Sequence, residues 1–151
     1  PFIMAAINTK NVHRTNFLLD HPYGSDFVYD EMMVTGPGDQ GEAMAKAVAS
    51  ANPLAGKDGP KPGEGPSKEE RENGFYDVLF IGEYADGSSV RASVSGDKDP
   101  GYGSTSKMLA ESALTLLELE TPGGVTTPGA VMAAPLITRL QANAGLTFKV
   151  E

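Results

Sequence analysis

Hydrophobic and polar residues alternate most regularly in two neighbouring segments, which together predict a β-hairpin. Apolar residues dominate residues 75–84, and residues 89–95 alternate between small apolar and polar side chains. Asp86 and Gly87 stand between the segments, a pair that favours the positive φ of a tight turn. In the second strand we therefore expect one covered face and one open face, with Arg91 on the open one.

The spacing of apolar residues elsewhere predicts helices and two further strands. The predicted helices span residues 4–19, 42–51, 67–72, 104–119 and 127–142, and the further strands span residues 27–34 and 146–150. Ser67 and Glu70 match a capping box at the start of the short helix. Pro135 should kink or split the last helix, because its ring clashes with the preceding turn. Gly145 is expected to end that helix.

Two of these helices carry apolar residues that we expect to be buried. On the first helix they are Ile3, Ala6, Ile7, Phe17 and Leu18, and on residues 104–119 they are Met108, Leu109, Ser112, Ala113, Leu116 and Leu117.

The elements together predict an α+β fold of about four mainly antiparallel strands, with a mixed sheet left open and helices packed on one face. At 151 residues the chain is expected to form a single domain. Residues 52–73 are rich in Pro, Gly and charge, so we expect a flexible loop there. For residues 66–73 within it, a lid over a substrate groove is the alternative to a solvated linker.

Composition narrows the classes of function. The formal net charge is −8 and the 12 Lys and Arg residues are scattered, which argues against nucleic-acid binding. There are no cysteines and two histidines, so disulfides and thiolate chemistry are excluded and a multi-histidine metal site is not favoured. No apolar run approaches the roughly 20 residues of a membrane span. We expect a cytoplasmic protein that does not enter membranes.

The stretch from Ser95 to Ser112 is the strongest candidate for a site. A strand ends there, a Gly/Pro loop follows, and a long helix begins, so backbone amides at the helix start could bind an anion. A plain sharp turn is the alternative interpretation. Candidate substrate-binding residues in and near this stretch are Arg91, Asp99, Tyr102, Ser104 and Lys107.

Known signatures of cofactor and catalytic sites are absent from the sequence. Gly101-Tyr102-Gly103 follows a strand, but Ser106 and Lys107 stand where the third glycine of a dinucleotide fingerprint belongs. There is no P-loop, and no serine lies in the nucleophile elbow of a hydrolase. His13 could act as a general base, although Lys10 and Arg14 beside it indicate an exposed helix face. Asp97 and Asp99 could form a carboxylate pair, although loop aspartates usually cap turns.

Ordered pieces along almost the whole chain carry a family resemblance. They are Pro1–Thr9 with Val12 and Arg14; Gly65-Pro66-Ser67; Asp99–Tyr102 with Thr105, Met108 and Leu109; Gly123-Gly124-Val125; and Thr127-Pro128-Gly129 with Leu136, Arg139, Leu140, Gly145 and Phe148. As a set they resemble the C-terminal part of saccharopine dehydrogenase-like oxidoreductases, including the bacterial proteins labelled trans-acting enoyl reductases.

The resemblance implies a division of labour between two domains. In such proteins an N-terminal Rossmann domain binds NAD(P), and a C-terminal α+β domain covers the active site and often mediates dimerisation. This chain resembles only the second, so we expect it to be catalytically incomplete and to bind no NAD(P) by itself. The implied partners are the Rossmann domain of the same polypeptide, expected upstream, a second copy and a small-molecule substrate. The resemblance assigns no catalytic residue.

A second interpretation comes from a different class of protein. A domain with no cofactor signature could be a non-enzymatic module that binds a small ligand or another protein. A Rossmann fingerprint upstream of Pro1 would favour the enzyme, and its absence would favour the module.

Overall fold

The computed structural model describes residues 2–51 and 63–151, which form six helices and one three-stranded sheet. In chain order the elements are α1 (Ala5–Leu18), α2 (Gly38–Ser50), α3 (Lys68–Asn73), β1 (Tyr76–Glu83), β2 (Ser89–Gly96), α4 (Gly103–Leu117), α5 (Pro128–Val131), α6 (Ala133–Asn143) and β3 (Leu146–Val150). The predicted α+β class is confirmed. Half of the predicted flexible loop, residues 52–62, lies outside the described residues.

The chain divides into two compact units, which are described separately. The first contains residues 2–51 together with Val125–Ala130, and the second contains residues 63–124 together with 131–151. The sheet and the candidate site both belong to the second unit. The expectation that the whole chain is one domain remains a prediction.

The sheet has the order β1-β2-β3, and both of its pairs are antiparallel. The predicted hairpin is confirmed, with Glu83 opposite Ser89 at its closed end. The backbone N–H of Tyr84 donates to the carbonyl of Ser88 at 2.9 Å, and Gly87 adopts a φ of 84°. The N–H of Gly87 also bonds to the carbonyl of Tyr84, which closes a turn that ends in this left-handed glycine. This geometry matches the right-handed twist of the two strands.

The core of the second unit lies between α6 and the sheet. Met132, Leu136, Leu140, Ala144 and Leu146 form its buried cluster, and Val94, Met108, Leu119, Val131 and Phe148 pack against it. Arg139 of α6 clamps α4, because its guanidinium lies 2.9 Å from the carboxylates of both Glu111 and Glu118. Within this unit, α4 and α6 therefore lie on one face of the sheet, as the sequence pattern predicts.

The prediction of a fourth strand at residues 27–34 is wrong. Burial does alternate there, with Phe27 and Tyr29 partly buried and Val28 exposed, but the segment pairs with no strand among the described residues. Side chains hold it in place. The Tyr29 hydroxyl donates to Glu31 Oε1 at 2.9 Å, and Asn8 of α1 donates to Glu31 Oε2 at the same distance. Alternation reports which side chains are covered, whereas a strand also needs a neighbouring backbone.

The Tyr29–Glu31 contact has an electrostatic consequence. Burial, reinforced by the hydrogen bond and the charge of Glu31, raises the pKa of Tyr29 to about 12. The phenol therefore stays protonated at neutral pH and remains the donor in this contact.

The predicted buried faces of two helices are also wrong in part. Ile3 and, on α1, Ile7 and Phe17 are exposed, while Asn16 is buried and binds the backbone of Tyr23 and Gly24. On α4, Leu109 is 71% exposed and Leu117 is 83% exposed. Small polar residues occupy the inward face of α4 instead, among them Thr115, whose hydroxyl donates to the carbonyl of Glu111. Because these hydroxyls bond to their own helix, the face can be buried without an unpaired polar group.

The last predicted helix is split, as expected, but not at the proline. The break falls at Met132, and Pro135 lies in the first turn of α6, where its missing N–H costs no helical bond. The first bond of α6 runs from the Leu136 N–H to the Met132 carbonyl. Gly145 follows the C-cap with a φ of 72°, which confirms the predicted end of the helix.

Gly145 provides a test of this helix end. A Cβ at this position would collide with the Asp97 carboxylate, and the left-handed backbone is itself unfavourable for alanine. We expect Gly145→Ala to lower the free energy of unfolding by about 1–2 kcal/mol, measured by urea denaturation. Gly123→Ala is the control, because a Cβ there meets nothing within 4 Å. Equal stability of the two variants would contradict this account.

Candidate functional site

The connection between β2 and α4 is built by close contact of backbones. At Gly74, after α3, a Cβ would lie 2.6 Å from the backbone of Asp99, and at Gly103 it would lie 2.8 Å from the carbonyl oxygen of Arg71. The Asp99 N–H donates to that same carbonyl at 3.2 Å. Glycine is required at both positions because any side chain would push α3 away from the start of α4.

Asp99 binds the start of α4 with its own carboxylate. Oδ1 accepts hydrogen bonds from the N–H groups of Gly101 and Tyr102, and Oδ2 accepts one from Gly103 at 2.5 Å. Its main-chain carbonyl accepts a fourth bond, from the Ser104 N–H at 2.8 Å. The amides that an external anion would need are therefore bound by the chain itself. This favours the sharp-turn interpretation of the stretch.

The same bonds change the acidity of Asp99. Desolvation acts to raise the pKa of the carboxyl, but the N–H donors of Gly103, Tyr102 and Gly101 and the nearby Arg71 guanidinium outweigh it. The pKa consequently lies below its ordinary value, and the group is ionised at neutral pH. An ionised carboxylate at a helix N-terminus is also favoured by the helix dipole.

Ser104 is fully buried at the same connection. Its hydroxyl lies 2.8 Å from the hydroxyl of Tyr76, at the start of β1, and either group can donate. The contact ties α4 to the sheet. In this structure Ser104 presents no surface to a ligand, and its proposed role in substrate binding remains a prediction.

Lys107 and Arg91 occupy different surroundings. Lys107 Nζ lies 3.9 Å from Asp97 Oδ1, in a half-exposed ion pair beside the end of α6. Arg91 is exposed on β2, opposite Ile81 of β1. The structure therefore brings Asp99, Tyr102 and Ser104 together and places Arg91 apart from them, on the sheet face away from the helices.

Tyr102 is the candidate that faces open space. It lines a cleft of about 440 Å³ whose remaining walls are Gly63, Glu64, Gly65, Pro66, Arg71, Gly103 and Ser106. The Tyr102 ring lies against Gly65, where a Cβ would meet it at 3.4 Å. The lining residues include a phenol, a guanidinium, the Ser106 hydroxyl and the Glu64 carboxylate, which suits a small polar ligand.

Arg71 is the residue of this cleft that sequence reasoning missed. Its Nη1 donates to the Pro66 carbonyl at 2.5 Å, which holds the side chain across the turn before α3. The capping box of Ser67 and Glu70 is confirmed and fixes Arg71 in the last turn of that helix. The sequence around Arg71 does not indicate that this turn lies beside Tyr102. The approach requires glycine at both Gly74 and Gly103, which belong to different segments.

A dinucleotide does not fit the β2–α4 connection. The pyrophosphate of such a cofactor binds at amides that follow a strand and open a helix, and here Asp99 fills that position with a negative charge. Within residues 2–51 and 63–151 there is no cluster of His, Asp and Glu that could hold a metal ion. None of the described helices is both long and apolar enough to cross a membrane.

The Asp99 contact predicts a pH-dependent stability. Asp99→Asn removes the charge, so the variant should be less stable than the wild-type chain at pH 7. Because the folded pKa is lowered, this advantage is fully present above the unfolded pKa of about 3.9 and is lost as the pH falls through the folded value. Thermal unfolding between pH 7 and pH 2.5 measures it, with Glu120→Gln, at an exposed carboxylate after α4, as the control. A wild-type advantage that grows on acidification would contradict the assignment.

Several curated mycobacterial proteins are similar to this chain. A Mycobacterium tuberculosis protein, provisionally named a trans-acting enoyl reductase, is 38% identical over 98% of this chain and 40% of its own length. Proteins named trans-acting enoyl reductase from Mycobacterium bovis and Mycobacterium ulcerans are each 33% identical over 92% of this chain and 38% of their length.

No family model and no solved structure matches the chain. The chain is similar to proteins named trans-acting enoyl reductase over nearly all of its own length and about two fifths of theirs.

Proposed function

We propose that this chain is the substrate-contacting and dimerising domain of an NAD(P)-dependent oxidoreductase, and that it is catalytically incomplete by itself. The observation that carries the proposal is the similarity to trans-acting enoyl reductases along 98% of the chain but only 40% of the relative. The saccharopine dehydrogenase-like character, with a Rossmann domain elsewhere in the polypeptide, belongs to the same proposal. It rests on the ordered residues from Pro1 to Phe148.

The cleft beside Tyr102 supports the substrate-contacting part of this proposal. An enoyl group carries a carbonyl oxygen conjugated to the double bond, and that oxygen is a hydrogen-bond acceptor. The Tyr102 hydroxyl and the Arg71 guanidinium are donors on the walls of one cleft. They would hold the carbonyl end of the substrate, while Asp99 keeps the backbone beneath Tyr102 fixed.

A non-enzymatic interaction module is the second candidate. Exposed apolar side chains on both the sheet and α4 favour it, among them Leu79, Ile81, Leu109 and Leu117. The two candidates differ in what the chain binds: the domain of an oxidoreductase should bind an enoyl thioester, whereas an interaction module has no reason to.

Cofactor binding gives the first test. We expect calorimetric titration of the 151-residue chain with NAD⁺ and NADP⁺ to give no heat of binding at micromolar concentrations. The reason is that Asp99 occupies the amides that a pyrophosphate needs. Tight binding of either dinucleotide would overturn the proposed division between a cofactor domain and this one.

Substrate binding gives the second test. A short enoyl thioester, crotonyl-N-acetylcysteamine, should shift the NMR signals of residues lining the cleft. Tyr102→Ala should weaken this binding roughly tenfold, the worth of a lost hydrogen bond. Tyr84→Ala is the matched control, because Tyr84 is 60% exposed against 56% for Tyr102 and lies on the hairpin. Equal affinity in both variants, or no shifts in the wild-type chain, would count against an enoyl substrate in this cleft.

A further inference from the structure

One edge of the sheet lacks the usual protection against association. β1 pairs with β2 on one side, and no strand of the described residues lies on its other side. Edge strands are normally blunted by lysine, proline or a bulge. The central run of β1, Val78–Gly82, contains no lysine, proline or charge and pairs with β2 without interruption.

The backbone groups that face outward from β1 can be identified. Tyr84 and Ser88 form a hydrogen-bonded pair, and such pairs alternate with non-hydrogen-bonded ones along an antiparallel ladder. The residues of β1 that bond to β2 are therefore Tyr76, Val78, Phe80 and Gly82. The opposite residue pattern on β2 agrees with this assignment. The carbonyl of Arg91 points away from β1 and accepts a hydrogen bond from the N–H of Glu151, after β3. The N–H and C=O groups that point away from β2 therefore belong to four alternate residues of β1: Asp77, Leu79, Ile81 and Glu83.

The side chains of the same four residues lie on the sheet face opposite the helices. Leu79 is 51% exposed and Ile81 is 55% exposed. They are the only large apolar side chains that the three strands place on this open face. The other residues of that face are Asp77, Glu83, Ser89, Arg91, Ser93, Ser95, Thr147 and Lys149. The apolar part of the open face is therefore confined to the strand with the free edge.

We propose that β1 pairs antiparallel with β1 of a second copy of this chain, with Leu79 on the two-fold axis. The two Leu79 residues then form a hydrogen-bonded pair, and the two copies of Leu79 and Ile81 form one apolar cluster across the axis. Two three-stranded sheets become a continuous sheet of six strands. This inference rests on the dimerising role proposed above and identifies the surface that performs it.

Electrostatic interactions favour this register over the one that places Phe80 on the axis. With Leu79 on the axis, Asp77 lies opposite Ile81 of the second copy, in the same row as Arg91. Arg91 is then two strand spacings, roughly 10 Å, from that Asp77, within reach of its long side chain. With Phe80 on the axis instead, Asp77 would lie opposite Glu83, a pair of like charges that is destabilising.

Sedimentation analysis of the full chain tests the proposal. The wild-type chain should dimerise at micromolar concentrations, and Leu79→Lys should raise the dissociation constant at least tenfold because it places two ammonium groups at the axis. Leu79→Pro should do the same, since it removes an N–H that points away from β2 and edge strands tolerate proline there. Met44→Lys, at a methionine of α2 that is exposed to a similar extent, is the control and should leave the dimer unchanged. Circular dichroism checks that each variant is folded.

A charge exchange tests the register. Asp77→Arg and Arg91→Asp should each weaken the dimer, roughly two- to fivefold for an exposed pair, and the double variant should recover affinity. A dimer that is indifferent to the Leu79 variants would overturn the edge pairing but leave dimerisation intact. A wild-type chain that remains monomeric would overturn both. Neither outcome bears on the enoyl thioester titration, so the two proposals fail separately.

Discussion

The carboxylate of Asp99 is the contact on which the second unit depends. It bonds to three successive N–H groups at the start of α4, and its own N–H reaches the carbonyl of Arg71 in α3. Those bonds fix where α4 begins, and this places Ser104 against Tyr76 at the start of β1. Asp99 thereby joins α3 to the start of α4, and Ser104 joins α4 to the first strand.

The same contact decides what kind of chemistry this region can support. A strand, a glycine loop and a helix start normally offer free amides to a phosphate. Here the negative charge is supplied from within, so the backbone is held rigid and the charge site is filled. The side of the loop that carries Tyr102, beside Arg71, remains accessible to a ligand. The region therefore suits the enoyl substrate proposed above better than it suits a dinucleotide.

Features set by neighbouring residues could be predicted from the sequence. The Asp86-Gly87 turn, the Ser67–Glu70 capping box and the Gly145 helix end each depend on a few adjacent residues, and each is confirmed. Features set by distant backbones could not. Residues 27–34 show strand-like alternation but have no paired neighbour, and Arg71 reaches the cleft only because two glycines let α3 approach α4.

Which face of a helix is buried also depends on distant parts of the chain and could not be predicted from the sequence. Leu109 and Leu117 form part of an apolar stripe on α4 that hydrophobic spacing assigns to the core, yet the inward face uses Ser104 and Thr115. The hydroxyls of these buried residues bond to their own helix backbone or to Tyr76, so neither hydroxyl is left unpaired. The large apolar side chains of Leu109 and Leu117 are left on the outer face of α4.

The central claim is that Asp99 fills the anion position at the start of α4. Its most direct measurement is the NMR response of the Gly101, Tyr102 and Gly103 amides to added inorganic pyrophosphate at neutral pH. The account predicts no saturable shift of these three signals, because each N–H is already bonded to the Asp99 carboxylate. A saturable shift of all three at millimolar pyrophosphate would show that the position is open to an external anion, and would contradict it.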